Sequence, residues 1–231
     1  MPFAGGSSAA FRSWADVLPP QIELCAVEIP GRGARLSEPL KRRLSDLLPA
    51  LANGIIAELD KPFAIFGHSM GALTGFELAH YLKDSFNLQP MHLFLSGRGA
   101  PNIPDHYKPI HQLADAEFIQ EIKNYNGTPK EVLEHQELME IVTPILRADF
   151  ELCETYQYSE KPKLECPLTV LCGLQDNGAT KEELEAWRSL CSGPFNLRMF
   201  PGDHFYLLEH KHNLIETIVR DINNHFTFPP F

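Results

Sequence analysis

Phe63-Ala64-Ile65-Phe66-Gly67-His68-Ser69-Met70-Gly71, running on into Ala72-Leu73-Thr74-Gly75-Phe76-Glu77-Leu78, is an apolar run, then Gly-x-Ser-x-Gly, then a helical pattern. The apolar run has the make-up of a buried strand, and the spacing after it is that of a helix. A chain that passes from strand to helix in so few residues turns sharply at the serine. Glycines are needed on either side, where a Cβ would strike the neighbouring strand or helix. Such a turn presents the Ser69 hydroxyl at a helix N-terminus, where the dipole favours a developing negative charge. The bare five-residue pattern carries little weight by itself; the strand before it and the helix after it make Ser69 a candidate nucleophile.

Outward from that turn, Ile22 to Ile29, Met91 to Leu95, Leu168 to Leu171 and Leu197 to Phe200 are further short apolar segments that read as buried strands. Helical spacing occupies Ser45 to Leu59, with Ser45 a candidate N-cap, and also Ala72 to Leu82, Glu182 to Leu190 and Leu207 to His225. Strand and helix alternate, which predicts an α/β fold with a mainly parallel sheet flanked by helices. The interval from Ala100 to about Glu165 has no good strand. Its helical patches, Glu117 to Tyr125 and Leu138 to Tyr156, read as an insertion over one end of the sheet. Pro229-Pro230 ends the fold, and 231 residues suit a single domain.

A serine hydroxyl needs a base to take its proton and an acid to orient that base, expected in the chain order Ser, Asp, His. Leu168-Thr169-Val170-Leu171-Cys172-Gly173-Leu174-Gln175-Asp176 places Asp176 just beyond a strand's C-terminal end, where the active sites of open α/β sheets gather. Leu197-Arg198-Met199-Phe200-Pro201-Gly202-Asp203-His204-Phe205 places His204 at the same edge. His204 is the expected general base and Asp176 its partner. Asp203 competes for that role, but chain neighbours point apart; His68, beside the nucleophile, is directed away by the turn and is expected to pack or to make a structural hydrogen bond. An oxyanion needs two N–H donors: Met70 offers one through its backbone, and the glycine-rich Phe3-Ala4-Gly5-Gly6-Ser7 offers Ala4 as the second.

Composition removes other classes. Thirty acidic against twenty basic residues give a formal charge of -10, which repels a phosphate backbone, so no nucleic-acid partner is expected. No apolar run is long enough to span a bilayer, and the first residues carry neither a basic n-region nor an apolar h-region, so no membrane association and a cytoplasmic location are expected. The five cysteines include no Cys-x-x-Cys pair, and the ten histidines form no metal-ligand spacing, so reduced thiols and no metal or cofactor are expected.

Pro2-Phe3-Ala4-Gly5-Gly6-Ser7, Ile29-Pro30-Gly31-Arg32-Gly33, Gly67-His68-Ser69-Met70-Gly71, Ser96-Gly97-Arg98-Gly99-Ala100-Pro101, Gly173-Leu174-Gln175-Asp176 and Pro201-Gly202-Asp203-His204-Phe205 together resemble the type II thioesterases. The resemblance spans nearly the whole chain and implies the α/β-hydrolase fold. It also implies Ser69, Asp176 and His204 as triad, Ala4 and Met70 as oxyanion donors, and the insertion as a lid. The implied substrate is an acyl thioester on the phosphopantetheine of an acyl or peptidyl carrier protein of a polyketide or nonribosomal peptide synthase, or an acyl-coenzyme A. The protein would act as a monomer, removing stalled or wrong acyl groups. Arg32 and Arg98, on loops after strands, are candidates to meet the pantetheine phosphate or the carrier surface, although such arginines more often hold loops together.

In that family the loop resembling Phe3-Ala4-Gly5-Gly6 follows a strand that here would lie before Met1. Either the start is misplaced, or the sheet is shortened on that side with the second oxyanion donor close to a free terminus, where fraying is expected. Two other readings stay open: a carboxylesterase or lipase on the same triad, and a binding protein of this fold without turnover.

Overall fold

A computed structural model describes residues 1–104, 107–125 and 127–225, so the Pro229-Pro230 tail lies outside the described residues. Four strands, β1 (Ala64–His68), β2 (His92–Ser96), β3 (Leu168–Gly173) and β4 (Phe195–Phe200), form a parallel sheet in the order β1-β2-β3-β4. Eight α-helices accompany them among the described residues: α1 (Leu44–Ile55), α2 (Met70–Phe86), α3 (Asp115–Asn124), α4 (Lys130–Glu134), α5 (Gln136–Glu154), α6 (Lys181–Ala186), α7 (Tyr206–Glu209) and α8 (Lys211–His225).

Helices cover both faces of the sheet, which is why β2 and β3 are buried along their whole length and read as unbroken apolar runs. The strand period of two sorts their side chains. Leu93, Leu95, Val170 and Cys172 join the cluster that includes Leu47 and Leu51 of α1, Leu73 and Phe76 of α2 and Trp187. Phe94 and Leu171 face the other way, onto Tyr206 of α7 and Leu214 and Ile218 of α8. The register sets Gly67 beside Leu95 and Leu95 beside Val170, so the ends of β1, β2 and β3 open along one edge.

Three expectations change. Ile22 to Ile29 is not a strand: it forms no ladder, although Ile22 and Leu24 pack on one core cluster and Val27 and the buried Ile29 on the other. The edge of β1 that a further strand would use is occupied elsewhere, since Met1 N donates to Phe66 O at 2.7 Å and His68 N donates to Met1 O at 3.3 Å. These bonds and the burial of Met1 pin the residues expected to fray. Ser45 is not an N-cap; α1 starts one residue earlier, after Arg43, and has no side-chain cap.

Residues 100–165 hold α3, α4 and α5 and no strand among the described residues. Phe118 and Ile122 of α3 pack with Ile110 and with Leu146 of α5 in a small cluster of their own. The same α5 sends Leu152 into the main core. It therefore bridges the inserted helices and the sheet.

Candidate active site

At the end of β1 the backbone reverses through Ser69, with φ 55° and ψ −115°, and α2 starts at Met70. An L residue in that region is strained, and it persists because its surroundings leave no alternative. A Cβ on Gly67 would stand 1.9 Å from Gly71 O, and one on Gly71 would stand 2.3 Å from Met1 O. The two glycines thus let β1, the first turn of α2 and the Met1-Pro2 backbone close to distances that any side chain would forbid. That closeness brings the Phe3–Gly6 loop to the same helix end as Met70.

Asp176 follows β3 and His204 follows β4, and the structure brings them together: His204 Nδ1 and Asp176 Oδ2 are 2.8 Å apart. Asp176 is deeply buried. Its other oxygen accepts from Gly178 N at 2.8 Å, and Cys172 Sγ donates to Oδ2 at 3.5 Å. Burial pushes the Asp176 carboxyl up, but the His204 bond and charge, with these two donors, bring it below the ordinary carboxylate value. Asp203 does not compete, because its Oδ1 accepts from Phe205 N at 2.8 Å. Ser69 Oγ makes no hydrogen bond to His204 at this geometry among the described residues; such contacts commonly tighten only when substrate is bound.

His68 is fully buried, and its ring centroid lies 4.8 Å from that of His204. Its Nδ1 is 2.8 Å from Ser96 Oγ, which is 2.7 Å from Tyr206 Oη, a buried polar chain running from β1 through β2 to α7. Burial, then the neighbouring His204, hold the His68 pKa well below its ordinary value, so it is neutral. Ser96, Tyr206 and Cys172 were not singled out from the sequence. They look like ordinary core positions there, and only the fold sets them beside His68 and Asp176.

On the opposite wall, Phe3 lies edge-on to His68 at 5.9 Å and to Phe205 at 5.1 Å. Gly6 N donates to Phe3 O at 2.9 Å, closing a turn around Ala4. Of the two roles weighed for it, Arg32 takes the loop-holding one. It is 3% exposed and spent on Asp149 of α5, NH1 to Oδ2 at 2.5 Å and NH2 to Oδ1 at 2.6 Å, which leaves no cationic face for a phosphate. Arg98 lies half-buried after β2, and its carbonyl accepts from Trp187 Nε1 at 2.8 Å. A cavity of about 360 Å³ lined by Phe76, His80, Tyr158 and Lys161 includes none of the Ser69, Asp176 and His204 group.

A strained serine at the head of a helix, with a histidine braced by a buried carboxylate at the same edge of the sheet, is the working arrangement of a serine hydrolase of the α/β-hydrolase fold. The thioesterase-domain family model matches residues 1–224, so the chain belongs to the thioesterase family and is a thioester hydrolase. It is 45% identical over 219 residues to linear gramicidin dehydrogenase LgrE of Brevibacillus parabrevis, covering 94% of this chain and 83% of that one. It is 44% identical over 222 residues to gramicidin S biosynthesis protein GrsT of Aneurinibacillus migulanus, covering 96% and 87%. Among solved structures, ClbQ from the colibactin NRPS/PKS pathway superposes with a TM-score of 0.93 at 34% identity, covering 96% of this chain and 95% of that one. Among the described residues no helix is long and apolar enough to cross a membrane.

Proposed function

We propose that this protein hydrolyses acyl groups held as thioesters on the phosphopantetheine arm of carrier proteins, clearing or releasing them during nonribosomal peptide or polyketide synthesis. Ser69 Oγ attacks the thioester carbonyl while His204 takes its proton through the ring nitrogen that does not face Asp176. The tetrahedral oxyanion is held by the backbone N–H groups of Met70 and Ala4. As it collapses, the C–S bond breaks, His204 returns the proton to the leaving thiolate, and an acyl-enzyme remains. Water, deprotonated by His204, then attacks the ester carbonyl; Ser69 Oγ leaves with the proton, and the free acid departs. Asp176 keeps one tautomer and orientation of His204 and stabilises the imidazolium.

The observation that carries this reading is the 2.8 Å bond between His204 and Asp176 at the strand edge where Ser69 turns into α2. The pathways named for GrsT and ClbQ support the biosynthetic setting. The dehydrogenase in the name of LgrE has no counterpart in this turn, where Ser69 stands between two glycines instead of the Gly-x-Gly-x-x-Gly of a dinucleotide-binding loop. The helices α3 to α5 serve as the lid over the acyl chain.

The test compares an acyl group loaded on a carrier protein with the same acyl group on coenzyme A and on p-nitrophenol, for wild type and Ser69→Ala. Expected are fastest cleavage from the carrier and a loss of at least about 10³-fold in kcat for Ser69→Ala. Faster cleavage of the oxygen ester than of both thioesters contradicts the reading. So does a wild type no faster than Ser69→Ala.

A further inference from the structure

Asp149 is an ionisable residue on the buried face of α5, 1% exposed. It is 144 residues from the loop it touches: Gly5 N donates to its Oδ2 at 2.7 Å. The same carboxylate takes both terminal nitrogens of Arg32, whose NH1 also reaches Gly6 O at 3.3 Å. One turn earlier on α5, Leu146 presses on the same glycine, where an added Cβ would lie 2.5 Å from its Cδ2. Gly5 itself has φ +74°, a conformation that an L side chain rarely adopts.

These contacts fix the two peptide planes that bracket Ala4. The plane carrying the Ala4 N–H also carries Phe3 O, which is held by Gly6 N at 2.9 Å. The following plane carries the Gly5 N–H, which is held by Asp149. With both planes held, the direction of the Ala4 N–H is set before substrate arrives, which gives an oxyanion donor its value. A buried ion pair is a poor source of net stability, because desolvation offsets its attraction, so its presence calls for another role.

We infer that Asp149, locked by Arg32, is a positioning residue that aims the Ala4 N–H at the oxyanion and so ties the oxyanion loop to the lid helix α5. This rests on the assignment of Ala4 and Ser69 in the proposed function. A shift of α5 on lid opening carries Gly5 with it and weakens the oxyanion site, so turnover is coupled to lid position. Arg32 serves the same end by neutralising the carboxylate while leaving an oxygen for Gly5.

The test uses Asp149→Asn and the apolar pair Arg32→Met/Asp149→Leu, which removes both charges while keeping the space filled, so at least one folded variant is at hand. Three quantities are read with an acyl-coenzyme A substrate: kcat and KM, the Ki of a trifluoromethyl ketone that forms a tetrahedral adduct on Ser69, and the Kd of a non-hydrolysable thioether analogue. Expected are a fall in kcat of about 10- to 100-fold and a matching rise in the ketone Ki, with KM and thioether Kd within about twofold of wild type. Amide exchange over residues 3–6, which needs no turnover, should accelerate in both variants. Unchanged exchange there overturns the inference even if the wild type proves inactive on every thioester, an outcome that instead removes the proposed function. A lower Tm with kcat and ketone affinity intact overturns it as well, reducing the pair to a structural one. If KM and thioether Kd rise together with the ketone Ki, the pair shapes the acyl chamber and the inference also fails.

Discussion

The two sides of the proposed oxyanion site are built by different physics. The Met70 side is part of one continuous turn, in which Ser69 is strained and Gly67 and Gly71 permit backbone contacts that no side chain allows. Close backbone packing, of Gly67 on Gly71 and of Gly71 on Met1, holds it. The Ala4 side belongs to a loop with little secondary structure, held by a carboxylate that arrives from α5 with its counter-ion Arg32. Charge brought from far along the chain holds it. Sterics fail abruptly, whereas a hydrogen-bonded ion pair can loosen by degrees, so the first side suits the proposed fixed nucleophile and the second suits the proposed coupling to a lid.

The elbow should be the harder side to disturb without ruin. Gly67→Ala places a methyl group 1.9 Å from Gly71 O, and the start of α2 has to move to admit it. We expect a stability loss at or above the ~1–3 kcal/mol of an overpacked core, and at least ~10²-fold lower kcat from misplaced Ser69, read by thermal melting and by turnover of the folded fraction. Asp149→Asn should lie well below this in stability and below or near it in rate. If Asp149→Asn is the more damaging to kcat, the contrast between the two sides is reversed.

The smallest effect concerns His68, which lies between them. Its pKa is depressed in the folded protein, so below the ordinary value of 6.5 the unfolded chain takes up a proton that the folded chain refuses. The stability that depends on neutral His68 is complete above pH 6.5 and is lost as pH falls toward the depressed folded value. Tm should therefore fall between pH 7 and pH 5 less steeply in His68→Gln than in wild type, with some slope left from His80, whose pKa burial also lowers. Parallel slopes contradict the buried neutral state.

What the sequence made legible follows the same division. β1 to β4 and the elbow are contiguous patterns, and chain order alone suggested looking for Asp176 and His204 after β3 and β4. Ile22 to Ile29 misled because alternation and β-branched residues mark a half-buried extended chain, while a strand also needs a partner edge, and Met1 holds that edge. Arg32 stayed open between two roles because a Gly-Arg-Gly loop looks the same whether its guanidinium faces solvent or a buried carboxylate. Ser96 and Tyr206 left no trace and Asp149 only a faint one, since a polar residue on a buried face is recognised only when its partner, dozens of residues away, is placed beside it. An acidic residue within the otherwise apolar stripe Ile145-Leu146-Ala148-Leu152 was the one available sign.

The proposed hydrolysis turns on a covalent intermediate at Ser69. Rapid acid quench of the protein with an acyl thioester, followed by peptide mass analysis, should find the acyl mass added to the peptide that contains Ser69, and the adduct should disappear in Ser69→Ala. An adduct on another residue, or turnover with no adduct under conditions where deacylation is slowed, contradicts it.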